Sequence, residues 1–387
     1  MLTRRTAVVL AGALVALVTP PVAAPAQANP DSYEWGRRLG RDYREAHQIT
    51  RGEGVKVALL GSGVARDVRT LRGAVEKEKD FVGTPRPKRR YSTLIAGWIA
   101  GNDGDLSTGV GMAPGAKILS VRINAESGDP GYEAWERRAD WDSLIAKGIR
   151  HAVDEDADVI AVLPFSDDPH GQIRGAVAYA HSKNAVVVTP TSDHGTRERY
   201  PEGAAGVIGV GALDEKVRRY KKYTAASSRI MVSAPGTEHP ALAPGNKPWT
   251  FWGYGPPLAW AAAAVALVKA KYPKLTPAQV GEALATSARH PKGKGKYDAE
   301  IGFGIVNPAG ALKEAQRISK EPVQVAGKPL VADGSYFGGD KPGKVRAAPY
   351  NLAWLGGFGS LALLGLILIG VAVRLLLRRE SGDAIRS

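Results

Sequence analysis

The stretch Gly54-Val-Lys-Val-Ala-Leu-Leu-Gly-Ser-Gly-Val64 decides the fold class. Its apolar run to Leu60 is short and shows no polar face, which predicts a strand buried on both sides and ended by the Gly-Ser-Gly turn. The theme recurs at residues 116–121, after the turn Ala113-Pro114-Gly115, and again at 157–162, 185–188 and 206–211. Helical patterns fall between these runs, at 141–154 and 171–183, and two more follow at 256–271 and 277–285. Strands alternating with helices imply a three-layer α/β/α fold around a mostly parallel central sheet. The chain contains no internal repeat.

The ends carry different signals. Arg4 and Arg5 precede an apolar run, 7–18, and small residues lead to Ala26-Gln27-Ala28. That layout predicts a secretory signal peptide over 1–28, cut after Ala28. Residues 352–373 hold no charged side chain and match roughly the 30 Å of a bilayer core, predicting one C-terminal transmembrane helix over 350–373. Arg374, Arg378 and Arg379 follow at once, so the tail 374–387 is expected in the cytoplasm and the main domain outside. Between the ends lie a short polar N-terminal extension (29–49), a globular domain (50–318) and a Pro/Gly/Lys-rich tether (319–349).

Composition agrees with a sizeable core, since 44% of residues are hydrophobic. There is no cysteine, so an exported domain of this sequence depends on packing instead of disulfides. The formal net charge is +14, with clusters at Arg86/Lys88/Arg89/Arg90, Arg218/Arg219/Lys221/Lys222 and Lys292/Lys294/Lys296. These suit either a solvated surface or an anionic membrane or cell-wall polymer. No nucleic-acid motif is present, and none is expected of an exported domain. No cofactor is expected; a structural calcium ion stays open.

Seven segments carry a family resemblance: TRGEGVKVALLGSGV from Thr50, STLIAGWIAG from Ser92, GVGMAPGAKILSVRI from Gly109, VIGVGA from Val207, APG from Ala234, ALVKAKYPKLTPAQV from Ala266 and GFGIVNPAGAL from Gly302. In this order they resemble the subtilisin-like serine proteases (subtilases), above all the actinobacterial mycosin branch of type VII secretion. The resemblance covers about Thr50 to Leu312 and implies the subtilisin-like fold. The signal peptide, tether and single C-terminal helix resemble mycosin architecture. The absence of cysteine departs from it, because mycosins commonly carry disulfides.

Subtilases need a Ser nucleophile, a His base and an Asp that orients the His, with a side-chain amide in the oxyanion hole. The resemblance places the Asp of Asp-Thr-Gly-Val at Gly61, the His of His-Gly-Thr at Tyr91 and the Ser of Gly-Thr-Ser at Gly255. The oxyanion amide falls on Asp193. No His lies between His47 and His151 and no Ser between Ser233 and Ser287, so a slipped alignment hides neither base nor nucleophile. Asp67 lies too far past the turn to replace Gly61. Gly255 has no side chain to acylate, a Tyr91 phenol titrates near pH 10, and an ionised Asp193 would repel an oxyanion. Losing the triad costs on the order of a million-fold in turnover. The cleft strand falls on Leu163-Pro164-Phe165 and the specificity-pocket wall on Pro190-Thr191-Ser192-Asp193, so the cleft is expected to be filled or reshaped. Gly255 and Pro256 suit the N-cap and first turn of the helix behind them.

The leading expectation is a catalytically inactive subtilase-like protein on the outer face of the cytoplasmic membrane, working as a structural or binding component of a type VII-like secretion complex. Two alternatives stand beside it: an active serine endopeptidase using unrecognised residues, and an exported peptide- or wall-binding module without a secretion role.

Overall fold

The computed structural model describes residues 30–102, 111–138, 140–193, 199–320 and 360–371. The chain divides into two units, Met1–Pro322 and Val323–Ser387.

The first unit begins with α1 (Pro30–His47), then β1 (Lys56–Gly61), β2 (Lys79–Asp80), α2 (Arg90–Ala100), β3 (Lys117–Arg122), α3 (Tyr132–Glu136) and α4 (Trp141–Asp154). It continues with β4 (Val159–Val162), α5 (Gln172–Ser182), β5 (Val186–Pro190), β6 (Ile208–Leu213) and β7 (Val232–Pro235). The hairpin β8 (His239–Ala243) and β9 (Lys247–Phe251) leads to α6 (Gly255–Lys271), α7 (Pro277–Ser287) and α8 (Pro308–Lys320). Seven strands form one parallel sheet in the order β2-β3-β1-β4-β5-β6-β7, while β8 and β9 pair antiparallel.

β1 explains the layering. Alternate strand residues face opposite sides: Val57 and Leu59 join the core under α2 and α6, whereas Ala58 and Leu60 join the core under α4 and α5. α6 is buried on every side from Gly255 to Lys269, as its unbroken apolar sequence requires. It runs through the middle of the larger core, and that fixes where its first residue lies. The five sequence-derived strands and four helices are all present, with ends shifted by one or two residues.

Three features differ from the sequence reading. The polar extension forms α1, because Leu39, Tyr43 and Ala46 recur at helical spacing and bury one face. Asp42 on α1 pairs with Arg289, and the Tyr43 hydroxyl donates to the Trp260 carbonyl. Second, the domain gains α8, whose Ala311, Leu312, Ala315 and Ile318 are buried; it ends at Lys320, inside the expected start of the tether. Third, α6 starts at Gly255 with Tyr254 as N-cap, so Gly255 is the first helical residue.

The expected signal peptide, cytoplasmic tail and all of the tether past Lys320 lie outside the described residues, as does most of the expected 350–373 span. Its described part, 360–371, is helical with exposed leucines and isoleucines. Among the described residues no helix is long and apolar enough to cross a membrane.

Candidate functional site

The end of β1, the first turn of α2 and the first turn of α6 meet at one place. The hydroxyl of Tyr91 accepts the backbone N–H of Gly255 at 3.0 Å and donates to the carbonyl of Trp252 at 2.9 Å. It thereby satisfies one of the orphan amides that every helix N-terminus leaves. Burial pushes this phenol up to about 12, so it stays a neutral hydrogen-bonding group. The Tyr91 ring packs edge-on against Phe251, with centroids 6.0 Å apart.

Gly61 does not touch Tyr91. A side chain added at Gly61 would run into the hydroxyl of Ser92, which itself accepts the Ser62 N–H at 2.8 Å. Glu126 closes this cluster: one carboxylate oxygen takes the Ser62 hydroxyl and the Tyr91 N–H, both at 2.6 Å. A carboxylate there offsets the positive end of α2, whose N-cap, Arg89, provides no side-chain cap. Asp67 is bound elsewhere, accepting the Gly245 N–H at 3.0 Å.

At the other flank Asp193 accepts a hydrogen bond from the Tyr254 hydroxyl at 2.8 Å. Burial first, then that bond, holds the Tyr254 phenol well above its usual value. Phe165 packs edge-on to Tyr254 with centroids 5.7 Å apart, and Tyr223 does the same at 5.5 Å. Pro190 ends β5 and is buried, Leu163 lines the groove beside Ser62, and Pro164 is half-buried. Phe165, Tyr254 and Asp193 thus pack against one another at this end. Toward Asn124–Ser127 and the β8–β9 hairpin a groove of about 570 Å³ stays open.

The sequence reading missed several of these groups. His239 is remote from Tyr91 in sequence, yet both rings pack edge-on against Phe251 at 6.0 Å. It makes no base here: Nδ1 donates to the Thr237 carbonyl at 2.7 Å and Nε2 accepts from the Trp260 indole at 2.9 Å. Burial lowers its pKa to about 4, keeping the ring neutral. Ser62, Ser92 and Glu126 were missed because only folding places them together. The density of aromatics from Trp249 to Tyr254 was the one available signal. Among the described residues no hydroxyl is hydrogen-bonded to a histidine ring, and no three His, Asp or Glu residues group to hold a metal.

The parallel seven-stranded sheet, with a buried helix starting beside β1's carboxyl end, defines a subtilisin-like α/β scaffold with its candidate site at the strand ends. The chain belongs to the Subtilase family, peptidase S8, matched over residues 52–304. Mycosin-4 of Mycobacterium tuberculosis is 28% identical over 350 residues, covering 76% of this chain and 75% of that protein. Thermitase of Thermoactinomyces vulgaris is 32% identical over 215 residues, 54% of this chain and 73% of thermitase. Among solved structures, MycP3 protease from the type VII (ESX-3) secretion system matches with a TM-score of 0.58 at 25% identity, covering 76% and 90% of the two chains. MycP1, described as an essential component of the type VII (ESX-1) secretion system, matches at 0.61 and 24%, covering 73% and 88%.

Proposed function

We propose that this chain is a subtilase that has lost peptide hydrolysis and serves as a structural or binding component of a type VII-like secretion assembly. One observation carries the reading: the Tyr91 hydroxyl is spent holding Gly255, a residue with no side chain, where the family resemblance places base and nucleophile. No acyl-enzyme can form on glycine. The side-chain site at Gly61 is taken by the Ser92 hydroxyl, and Asp193 is held by Tyr254 at the position read as the oxyanion amide. Similarity to mycosin-4 and to the MycP structures supports the secretion role. The domain is held outside the cytoplasmic membrane by the C-terminal helix after export, a placement supported by the sequence of both ends.

Purified protein incubated with a fluorogenic peptide and a serine-directed phosphonate tests the loss of activity. Neither turnover nor labelling is expected. Turnover that survives purification and vanishes on changing a groove residue would return the chain to the active endopeptidases.

A further inference from the structure

Resting on that reading, we propose that the open groove beside Tyr91 binds, without cutting, an extended acidic segment of a protein partner.

The groove is aromatic to an unusual degree, and four tryptophans line it: Trp135, Trp141, Trp249 and Trp252. Trp249 and Trp252 remain 45% and 47% exposed on the hairpin side. Large rings left in water beside a concave surface are the usual anchors of protein recognition. Phe251 between them is buried and fills the core side, so the two indoles stand on the outward side.

Charge selects the occupant. The guanidinium of Arg90 lies over the Trp249 ring at 4.4 Å, placed at the groove by the start of α2. Lys88 reaches the Ser127 carbonyl at 3.3 Å on the same rim. Glu126 is the only carboxylate among the described lining residues, and it is already engaged by Ser62 and Tyr91. The unopposed charge is therefore positive. Within this cluster Arg89 is spent on Glu78, which leaves Arg90 and Lys88 to face an occupant; elsewhere Arg218 pairs with Asp214, Arg219 with Glu300, Lys292 with Asp298 and Lys294 with Glu314. An extended occupant also fits the backbone, because the amides of Ala125 and Ser127 make no hydrogen bond among the described residues. A neutral glycan would find the aromatic platform but no use for the cations.

The test uses the full chain in detergent and a labelled peptide of repeating Glu-Pro, with a Lys-Pro repeat of equal length as control. Fluorescence anisotropy should show Glu-Pro binding at least about tenfold tighter, weakening as salt screens the rim. Trp249→Ala and Trp252→Ala should each weaken it by a similar factor, and Arg90→Gln should erase the preference for Glu over Lys. Unfolding midpoints equal to the parent's show that a variant's loss is local; should a tryptophan variant unfold, Arg90→Gln decides alone. Equal binding of both peptides, or affinity unchanged in the folded variants, overturns the proposal, as does capture of a soluble wall oligosaccharide with no peptide binding. Mass spectrometry of the bound peptide separates the two claims: a cut peptide sinks the inactive-protease reading and leaves the groove assignment standing, whereas an intact unbound peptide does the reverse.

Discussion

The hydroxyl of Tyr91 joins two turns 164 residues apart in sequence, accepting the Gly255 amide at 3.0 Å while donating to Trp252. Tyr91 thus acts as a clasp between α2 and α6. Its neutral phenol suits that task, because donating to the Trp252 carbonyl requires the proton to stay on oxygen.

Removing the clasp should cost stability. Tyr91→Phe leaves the Gly255 N–H and the Trp252 carbonyl without that partner, at about 1 kcal/mol for hydrogen bonds that are only partly shielded from water. Urea unfolding should show the midpoint falling with an unchanged slope. An unaltered midpoint would mean water replaces the hydroxyl at no cost.

Restoring the three residues should not restore a protease. Gly61→Asp, Tyr91→His and Gly255→Ser together still leave the Ser92 hydroxyl in the space of the new aspartate and Tyr254 on Asp193. Adding Ser92→Gly removes the first obstacle and should raise the yield of folded triple variant. Peptidase rates within about tenfold of an ordinary subtilase, a gap of ~1.4 kcal/mol, would show that the surrounding cleft is intact.

His239 makes stability sensitive to acid. Its folded pKa of about 4 lies below the ordinary value of 6.5, so the unfolded chain binds the proton more readily. Its contribution is fully present above pH 6.5 and is lost as pH falls toward 4, about 3 kcal/mol in all. Burial lowers His47, His151 and His181 as well, with the same sign. Thermal unfolding across that window should show the loss, and His239→Gln should flatten part of it. An identical pH profile in the variant would rule out this histidine as the source.

Lys269 is a second buried dependency. The residue is 2% exposed, and its ammonium donates to the carbonyls of Asn184, Pro273 and Leu275 at 3.1, 3.0 and 3.4 Å. Lys269→Met keeps the apolar length of the side chain and removes the donors, with an expected loss on the order of 3 kcal/mol. A calorimetric midpoint equal to the parent's would mean the loop from Pro273 to Leu275 repacks freely.

The topology has its own test. Each arginine after the apolar stretch would cost roughly 2.5–3.5 kcal/mol at a bilayer centre, so Arg374, Arg378 and Arg379 should mark the cytoplasmic boundary. Protease added to intact, wall-stripped cells should digest the domain and spare a C-terminal tag. The opposite pattern would invert the orientation and exclude an outward-facing partner.

Much of the fold was legible because it is written locally. Runs such as Val55 to Leu60 and the apolar circumference of α6 state burial directly, and strand-helix alternation limits the topology. α1 and α8 were hidden because each buries only a narrow stripe within a charged sequence. The sequence alone also shows that glycine at 255 offers no nucleophile in any conformation and that no histidine neighbours residue 91 along the chain. It could not reveal that His239 approaches through Phe251, that Ser92 fills the space beside Gly61, or that Tyr254 holds Asp193. Nor could it show a groove left open beside a filled one. Those facts depend on contacts between residues 12 to 164 positions apart. Such contacts are set by how the sheet and α6 pack, whereas the patterns read from sequence extend only over a turn or a strand.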